Sequence, residues 1–298
     1  MIKRTLYFGN PAYLKTKNEQ LVFESINNGE TKTIPIEDIG ILIIDHQQIT
    51  ITQALIAKLL ENNIALITCD SRHHPTGLLL NLCGNTLQSK RFQAQVEATL
   101  PLKKQLWQQT VSAKINNQAC ILERIQVGAK NLRNWAKEVK SGDTENREAV
   151  AAAYYWKNIF AIFTAFKRDP EGEPPNNLLN YGYAILRAVV ARNLVASGLL
   201  PTLGIFHRNQ YNAYCLADDI MEPYRPFVDK VVWDIVRMNG IYLELNPAMK
   251  RQLLGIPVID VIINGEKSPL MVAVQKTSAS LAKCFEGKTR KILYPEVV

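Results

Sequence analysis

The hydrophobic pattern of the chain changes near Leu87, and this change limits the folds that the sequence can adopt. Before it, apolar segments rich in β-branched and aromatic residues alternate with turn signals such as GNP at 9–11 and NNGE at 27–30, a pattern typical of strands. After it, apolar residues recur at the spacing of amphipathic helices. The sequence predicts an α+β protein, with a small β-rich N-terminal domain at 1–87 and a larger all-helical domain at 88–298.

Two continuous apolar runs in the first domain predict strands that are buried on both faces. These are IGILIID at 39–45 and NIALITCD at 63–70. The segment between them, 51–63, has the spacing of an amphipathic helix, and Thr52 is a plausible N-cap.

The second domain is predicted to contain eight helices. They span 89–98, 102–126, 128–140, 145–167, 177–197, 209–222, 224–238 and 268–285. The stretch 147–166 is apolar nearly all round, so we expect a central buried helix there. The helix at 177–197 carries an apolar stripe formed by Ile185, Leu186, Val189, Val190 and Leu194. Arg187 and Arg192 lie off that stripe and are expected to be solvated or, on a nucleic-acid binder, to contact phosphates.

The composition favours a protein that works with a polyanion in a reducing compartment. The formal net charge is +8, and the five cysteines are widely spaced, without a C-x-x-C pair. A disulfide framework and a zinc-thiolate site are therefore disfavoured. No apolar run approaches the length of a membrane span, so we expect a cytoplasmic protein with no membrane partner. Walker-type, dinucleotide-binding and G-x-S-x-G motifs are missing from the sequence.

Glu148 is the first candidate site residue. It stands at the start of the apolar segment 147–166, followed by a series of alanines that leave room for a ligand. A carboxylate there could cap its own helix and interact favourably with the helix dipole. It could equally be a metal ligand at the mouth of a pocket.

A second group of candidates lies in the segment GIFHRNQYNAYCLADDIMEPYRP. His207 is followed by Asp218, Asp219 and Glu222, whose spacings of three and four residues place carboxylates on nearby helix faces. Such like charges need a cation to offset them, either Arg225, Lys230 or a metal. Pro223 disfavours the helical conformation at the preceding residue, so the helix is expected to kink there.

One histidine and several carboxylates form a plausible site for Mg²⁺ or Mn²⁺. The residues alone leave other readings open, because a lone histidine is often structural. The DD-x-x-E run also resembles the aspartate-rich boxes of isoprenoid synthases. Those enzymes usually need two such boxes, and this sequence has one.

The C-terminal segment from Gln275 is basic, and it is a candidate for phosphate contacts. Together with the arginines that flank the acidic run, it supplies our candidate DNA-binding residues. They are Arg208, Arg225, Lys276, Lys283 and Arg290.

The order of these motifs resembles the CRISPR-associated integrase family. The resemblance is carried by EAVAAAYYW, which begins at Glu148, by LNYGYAILRAVVARNLVASGLLPTLGIFHRNQYN, and by LADDIMEPYRP. It covers nearly the whole chain and is close to the version found beside single-protein RNA-guided effector nucleases. Residues 180–226 are its most specific part.

The resemblance implies a metal triad of Glu148, His207 and Glu222 as the catalytic residues, with Asp219 as an accessory acid. Phe206 stands where the family often has a second histidine. The implied activity is a Mg²⁺- or Mn²⁺-dependent DNA integrase and endonuclease of CRISPR adaptation. It would insert spacer DNA into the repeat array by attack of a 3′-hydroxyl on a phosphodiester. The implied partners are double-stranded DNA, a second copy of the chain through the β-rich domain, and a small dimeric CRISPR-associated protein.

Two other functions are compatible with the residues taken alone. A non-catalytic basic scaffold would bind DNA in a salt-sensitive manner and use its acids only to cap helices. An isoprenoid-type helical enzyme is disfavoured by the single aspartate-rich run and by the basic charge.

Overall fold

The structure divides the chain into two compact units, Met1–Thr86 and Leu87–Val298. It is a computed structural model that describes residues 3–71, 73, 75–163, 166–240 and 244–298. The first unit is rich in strands and the second in helices. The predicted α+β class, with a β-rich N-terminal region and a helical C-terminal part, is therefore confirmed.

The strands of the first unit form two sheets within the described residues. They are β1 (Arg4–Phe8), β2 (Ala12–Lys17), β3 (Gln20–Ser25), β4 (Thr31–Pro35), β5 (Ile39–Ile44), β6 (Ile49–Ile51), β7 (Ala65–Cys69) and β8 (Pro75–Leu79). One sheet has the order β1-β5-β7-β8 and the other the order β4-β3-β2-β6. Strand β5 lies between two parallel neighbours, β1 and β7. Its residues from Ile39 to Ile43 are buried, as expected for a strand covered on both faces.

Both sheets contribute to the core of the first unit. Helix α1 (Gln53–Glu61) begins after Thr52, whose hydroxyl accepts the backbone N–H of Leu55 at 3.3 Å, so the predicted N-cap is confirmed. Leu55 then packs in one apolar cluster with Leu14 of β2 and Leu42 of β5. The helix thereby ties the two sheets together.

The second unit contains a long buried helix, Asn176–Ala196, against which several of its other helices pack. The helices of this unit are α2 (Gln88–Val96), α3 (Leu100–Arg124), α4 (Lys130–Glu138), α5 (Arg147–Ile159), α6 (Asn176–Ala196), α7 (Cys215–Met221), α8 (Arg225–Asn239), α9 (Pro247–Leu254) and α10 (Leu270–Phe285). The predicted apolar stripe of α6 is buried throughout. A Cβ added at Gly182 of α6 would lie 2.5 Å from Cγ1 of Val228, so glycine allows α8 to pack closely there.

The prediction of a central buried helix at 147–166 is wrong. Helix α5 ends at Ile159, and its buried residues form a single stripe with Ala151 and Tyr155. The chain then turns so that the ring of Phe166 packs 4.8 Å from that of Phe160.

The second unit is not all-helical, which corrects the predicted class of this domain. Strands β9 (Asp260–Ile263) and β10 (Glu266–Pro269) form an antiparallel hairpin. Its turn is Asn264-Gly265, with φ values of 54° and 77°. These left-handed conformations are typical of the tight turn for which Asn-Gly is the strongest short-range signal. The pattern VIINGEK therefore predicts this hairpin from the sequence alone.

The predicted solvation of Arg192 is also wrong. Its residue exposure is 9%, and burial lowers the pKa of the guanidinium to about 10. By contrast, the side chain of Arg187 is 41% exposed and pairs with Asp218. Among the described residues, the helices are too short or too polar to cross a membrane.

Candidate metal centre

Lys114 of α3 lies between two carboxylates from different parts of the chain. Its Nζ atom is 2.7 Å from Glu148 Oε1 and 2.5 Å from Glu222 Oε2. The ammonium donates a hydrogen bond to Glu148 and forms an ion pair with Glu222 Oε2. The side chains of Lys114, Glu148 and Glu222 are 12%, 21% and 8% exposed. Two of the predicted ligands therefore face one buried cation.

Glu148 does not cap its own helix. Both carboxylate oxygens of Asp143 take that role at the start of α5, accepting the backbone N–H groups of Arg147 at 2.9 Å and of Glu148 at 3.0 Å. Asp143 therefore satisfies the first free backbone donors of the helix. The side chain of Glu148 is left to contact Lys114, which weakens the alternative reading of this residue as a cap.

Glu222 lies where the α-helix passes into a 3-10 turn. Its own backbone stays in the helical region, at φ −52° and ψ −46°, so the expectation that Pro223 would move it out of that region is wrong. Helix α7 ends at Met221, a 3-10 turn spans Glu222–Tyr224, and α8 begins at Arg225. Arg225 donates through Nε to Glu222 Oε1 at 2.7 Å. Burial opposes ionisation of Glu222, but Arg225 and Lys114 together lower its pKa to about 2. Glu222 is therefore a buried carboxylate held in its charged form.

The two cations in this cluster are stabilised in return. Burial disfavours the charged form of Lys114, but Glu222 and Glu148 outweigh that effect and raise its pKa above the usual value. The same balance, with Glu222 as the main favourable partner, raises the pKa of Arg225. The cluster is thus a buried network of alternating charges.

His207 is positioned by Asp219. Its Nδ1 lies 2.5 Å from Asp219 Oδ1, and the backbone N–H of Phe206 donates to the other carboxylate oxygen at 2.9 Å. Asp219 has no exposed surface. Its hydrogen bond raises the pKa of His207 against the opposing effect of burial, and the charges of Glu222 and Glu148 add to the increase.

Two features fix the loop that carries His207. A Cβ at Gly204 would lie 2.4 Å from the backbone oxygen of His207 and 2.8 Å from Asp219 Oδ2, so only glycine fits without a shift. The ring of Phe206 stacks on Trp107, with ring centroids 4.2 Å apart, and His207 meets the same indole edge-on at 5.6 Å. Phe206 therefore fills its position as a packing residue.

The remaining acid of the run, Asp218, belongs to a separate contact. Arg187 donates to Asp218 Oδ1 at 2.7 Å, and Asn212 donates to the other oxygen at 2.7 Å. Lys230, the alternative cation for these acids, pairs with Asp234 instead. Helix α7 begins only at Cys215, so the predicted helix at 209–222 starts too early.

A second buried network, centred on Asp229, lies next to the site. Asp229 of α8 accepts hydrogen bonds from the hydroxyl groups of Tyr155 at 3.0 Å and of Tyr183. Burial raises the pKa of Asp229 to about 7, although both tyrosines oppose the increase. The guanidinium of Arg225 lies 4.6 Å from the centre of the Tyr183 ring. Asp229 therefore connects α5 and α6 with the helix that begins beside Glu222.

The oxygen and nitrogen atoms of Glu148, Glu222 and His207 are of the types that bind a divalent cation. They do not lie together as one set of metal ligands. Within the described residues, His, Cys, Asp and Glu side chains do not come together in groups of three with metal-binding geometry. Glu148 and Glu222 meet through Lys114, and His207 meets Asp219. Two carboxylates and a carboxylate-oriented imidazole are nevertheless ligands that Mg²⁺ or Mn²⁺ accepts.

Sequence reasoning missed the two residues that organise these ligands, Lys114 and Asp143. Lys114 follows Trp107 by seven residues and Val111 by three, so it continues the buried stripe of α3. A lysine on an apolar stripe was the available signal. Asp143 precedes the predicted helix in the SGD turn at Ser141–Asp143, where an acidic cap is common.

The predicted DNA-contact residues differ in their surroundings. Arg208, Lys283 and Arg290 are exposed. Lys276 pairs with Glu266 at 2.8 Å. Arg225 is turned toward Glu222, which gives it a role inside the site.

Solved structures share this fold over almost the whole chain. A casposase bound to its integration product covers 98% of this chain and 92% of its own, with a TM-score of 0.80 and 18% identity. A complex described as Cas6-RT-Cas1–Cas2 contains a longer chain that matches 98% of this one with 36% of its own length, at a TM-score of 0.74 and 19% identity. These identities support the fold alone.

Sequence comparison supports a more specific assignment. The family model described as CRISPR associated protein Cas1 matches residues 6–244. A CRISPR-associated endonuclease Cas1 from Neisseria meningitidis is 38% identical over all of this chain and 97% of its own. A second such endonuclease, from Pyrobaculum aerophilum, is 26% identical over 92% of this chain and 96% of its own. The family-model match and the relative from Neisseria meningitidis establish that the chain belongs to the Cas1 family of CRISPR-associated proteins.

Proposed function

We propose that this chain is the integrase and endonuclease of CRISPR adaptation, and that Glu148, His207 and Glu222 form its catalytic metal site. Membership of the Cas1 family supports the activity, since the relative from Neisseria meningitidis is named an endonuclease. The casposase of similar fold is bound to an integration product. The observation that carries the site is the convergence of Glu148 and Glu222 on one buried ammonium.

The proposed cofactor is Mg²⁺ or Mn²⁺. Carboxylate oxygens suit both ions, and a single imidazole is compatible with either. When bound, the ion supplies Lewis-acid stabilisation for the attack of a DNA 3′-hydroxyl on a phosphodiester. The protein itself needs no covalent nucleophile.

The chain's own residues prepare this site in two ways. Asp219 holds Nδ1 of His207, which fixes the orientation of the ring and leaves Nε2 as the nitrogen available to a metal. Arg225 keeps Glu222 ionised by contacting Oε1, which leaves Oε2 as the oxygen available to a metal. Asp219 is therefore proposed as a positioning residue.

The proposed partners are duplex DNA, a second copy of the chain and a small CRISPR-associated protein. The exposed residues Arg208, Lys283 and Arg290, together with Lys276, are proposed to contact phosphates. The β-rich unit at 1–87 is proposed to form the homodimer. One similar structure is a complex that contains Cas2, which supports a Cas2-type partner, and we place the reaction in the cytoplasm.

Strand transfer in a defined system tests the proposal. The purified chain and its small partner would be incubated with a short duplex bearing 3′-hydroxyl ends and a supercoiled plasmid carrying the repeat, with and without Mn²⁺. We expect metal-dependent covalent joining, abolished by Glu148→Gln, His207→Ala and Glu222→Gln. The exposed carboxylate variant Glu171→Gln serves as the matched control.

Circular dichroism would establish that each variant is folded. Full joining by folded Glu222→Gln would overturn the metal assignment. Salt-sensitive DNA binding with no joining in any metal would instead support the non-catalytic scaffold.

A further inference from the structure

We propose that Lys114 competes with the catalytic metal, so that a divalent cation binds by displacing the Lys114 ammonium from Glu148 and Glu222. This inference rests on the proposed metal site. Lys114 then acts as an internal counter-ion that weakens metal binding and keeps the two buried carboxylates compensated before the metal binds.

The contacts of Glu222 place the lysine and the metal in competition. Its Oε1 is held by Arg225 at 2.7 Å, and its Oε2 lies 2.5 Å from the ammonium of Lys114. Oε2 is therefore the oxygen of Glu222 left for a metal. Divalent ions approach carboxylate oxygens to about 2.0–2.2 Å. An ion bound to both Oε2 of Glu222 and Glu148 would therefore occupy the position of the Lys114 ammonium.

The charges of the cluster lead to the same conclusion. Glu148 and Glu222 contribute two negative charges, and Lys114 and Arg225 contribute two positive charges, so the network is neutral. A divalent ion added beside Lys114 would leave two uncompensated positive charges in a largely buried site. Withdrawal of one ammonium halves this excess, and the flexible four-carbon stem of lysine allows such a movement. Arg225 cannot serve in the same way, because its planar guanidinium is held against the Tyr183 ring.

Metal binding by a variant without the ammonium tests the proposal. Mn²⁺ affinity would be measured by calorimetry, without DNA, for the wild type, for Lys114→Met and for the exposed Lys104→Met on the same helix. Because Lys114→Met removes the ammonium that competes with the metal, its dissociation constant for Mn²⁺ should be about tenfold lower than that of the wild type. Lys104→Met should match the wild type. An unchanged or higher dissociation constant in folded Lys114→Met would overturn the proposal.

A measurement on the wild type covers the case in which Lys114→Met does not fold. Amine-reactive labelling of lysines would be followed by peptide mass spectrometry, with and without Mg²⁺. The reactivity of Lys114 should rise several-fold on addition of Mg²⁺, whereas that of Lys104 should stay constant. Equal reactivity of Lys114 in both conditions would contradict displacement.

The same data separate this inference from the proposed function. If the wild type binds no Mn²⁺, or if His207→Ala binds it as tightly as the wild type, the metal site itself is wrong. If the wild type binds Mn²⁺ through His207 while Lys114→Met has wild-type affinity, the site stands and only the role of Lys114 fails.

Discussion

Asp143 holds the helix that presents Glu148: its Oδ2 accepts the backbone N–H of Glu148 itself, at 3.0 Å. The capping residue and the candidate ligand are therefore joined through the main chain. From the sequence, Glu148 was a candidate both for the helix cap and for a metal ligand. In the structure Asp143 is the cap, and Glu148 remains the candidate ligand. It also makes the position of Glu148 sensitive to a residue that would not touch a metal.

We expect Asp143→Ala to destabilise the protein by about 0.5–2 kcal/mol, as for other lost N-caps, and to reduce metal-dependent strand transfer as well. Denaturant unfolding and the joining assay would measure the two effects. Asn246→Ala is the matched control, since Asn246 caps α9 by accepting the N–H of Met249 at 3.0 Å. Equal losses of activity in the two variants would show that general stability, and not the position of Glu148, is responsible.

Asp219→Asn should weaken metal binding by about 10–100-fold, the usual effect of removing a carboxylate that orients a ligand histidine. Its amide can no longer offer two anionic oxygens to the loop of Phe206 and His207. Calorimetric titration with Mn²⁺ would measure the change. The neighbouring variant Asp218→Asn should leave the affinity near the wild-type value, because Asp218 pairs with Arg187 outside the site. Comparable affinities for all three proteins would remove Asp219 from the proposed site.

Asp229 should make the protein less stable as the pH rises from about 4 to 7. Burial raises its pKa in the folded state to about 7, whereas an unfolded aspartate titrates near 3.9. The folded state then binds more protons in this interval, so the stabilisation is complete below pH 4 and is lost as the pH passes through 7. The total change is roughly 4 kcal/mol.

Urea unfolding of wild type and Asp229→Asn between pH 5 and 8 would isolate this effect. A pH-independent effect of the substitution shifts the whole curve of the variant, whereas the raised pKa makes the difference in unfolding free energy between the two proteins change with pH. Asp234→Asn, an exposed site on the same helix, should reproduce the wild-type slope. Parallel curves for wild type and Asp229→Asn would rule out the raised pKa.

Asn117→Asp should be more destabilising than Asn117→Ala. The buried amide of Asn117 donates to the backbone oxygens of Pro223 at 2.8 Å and Pro295 at 2.9 Å. Alanine removes both hydrogen bonds, at about 0.5–1.5 kcal/mol for each, and aspartate adds a buried negative charge that faces both carbonyl oxygens. Denaturant unfolding would rank the two variants. The partly exposed Asn116→Asp should have a smaller effect, and an order of stability with alanine below aspartate would contradict the assigned contact.

The local sequence pattern predicted much of the fold, because the formation of these strands and helices depends on residues that are close together in the sequence. The burial of Ile39–Ile43 and the stripe of α6 each follow from a few neighbouring residues. The end of α5 at Ile159 was not predicted, because the apolar pattern continues beyond it. The hairpin around Asn264-Gly265 was missed although its turn signal is local.

The site was predictable only in part for a similar reason. Glu148, His207 and Glu222 were selected by resemblance, and the residues alone left structural readings open for each. The contacts that define their surroundings join α3 to Glu148 and Glu222 across long stretches of sequence. A single sequence carries no direct record of such pairs, so the pairing of Lys114 with both acids became visible only in three dimensions. Asp143 lies five residues before Glu148, and local reasoning could have found it.

The hydrogen bond between Tyr155 and Asp229 has a mechanical consequence for the reaction centre. Tyr155 lies seven residues after Glu148 on α5, which is two turns and about 10 Å along the axis. Anchoring that tyrosine sets the rotation of the whole helix about its axis. A rotation of roughly 20° would swing a side chain at a radius of 5–6 Å by about 2 Å, enough to misalign a ligand. The angular tolerance of Glu148 is thus governed by a buried pair that lies away from the chemistry.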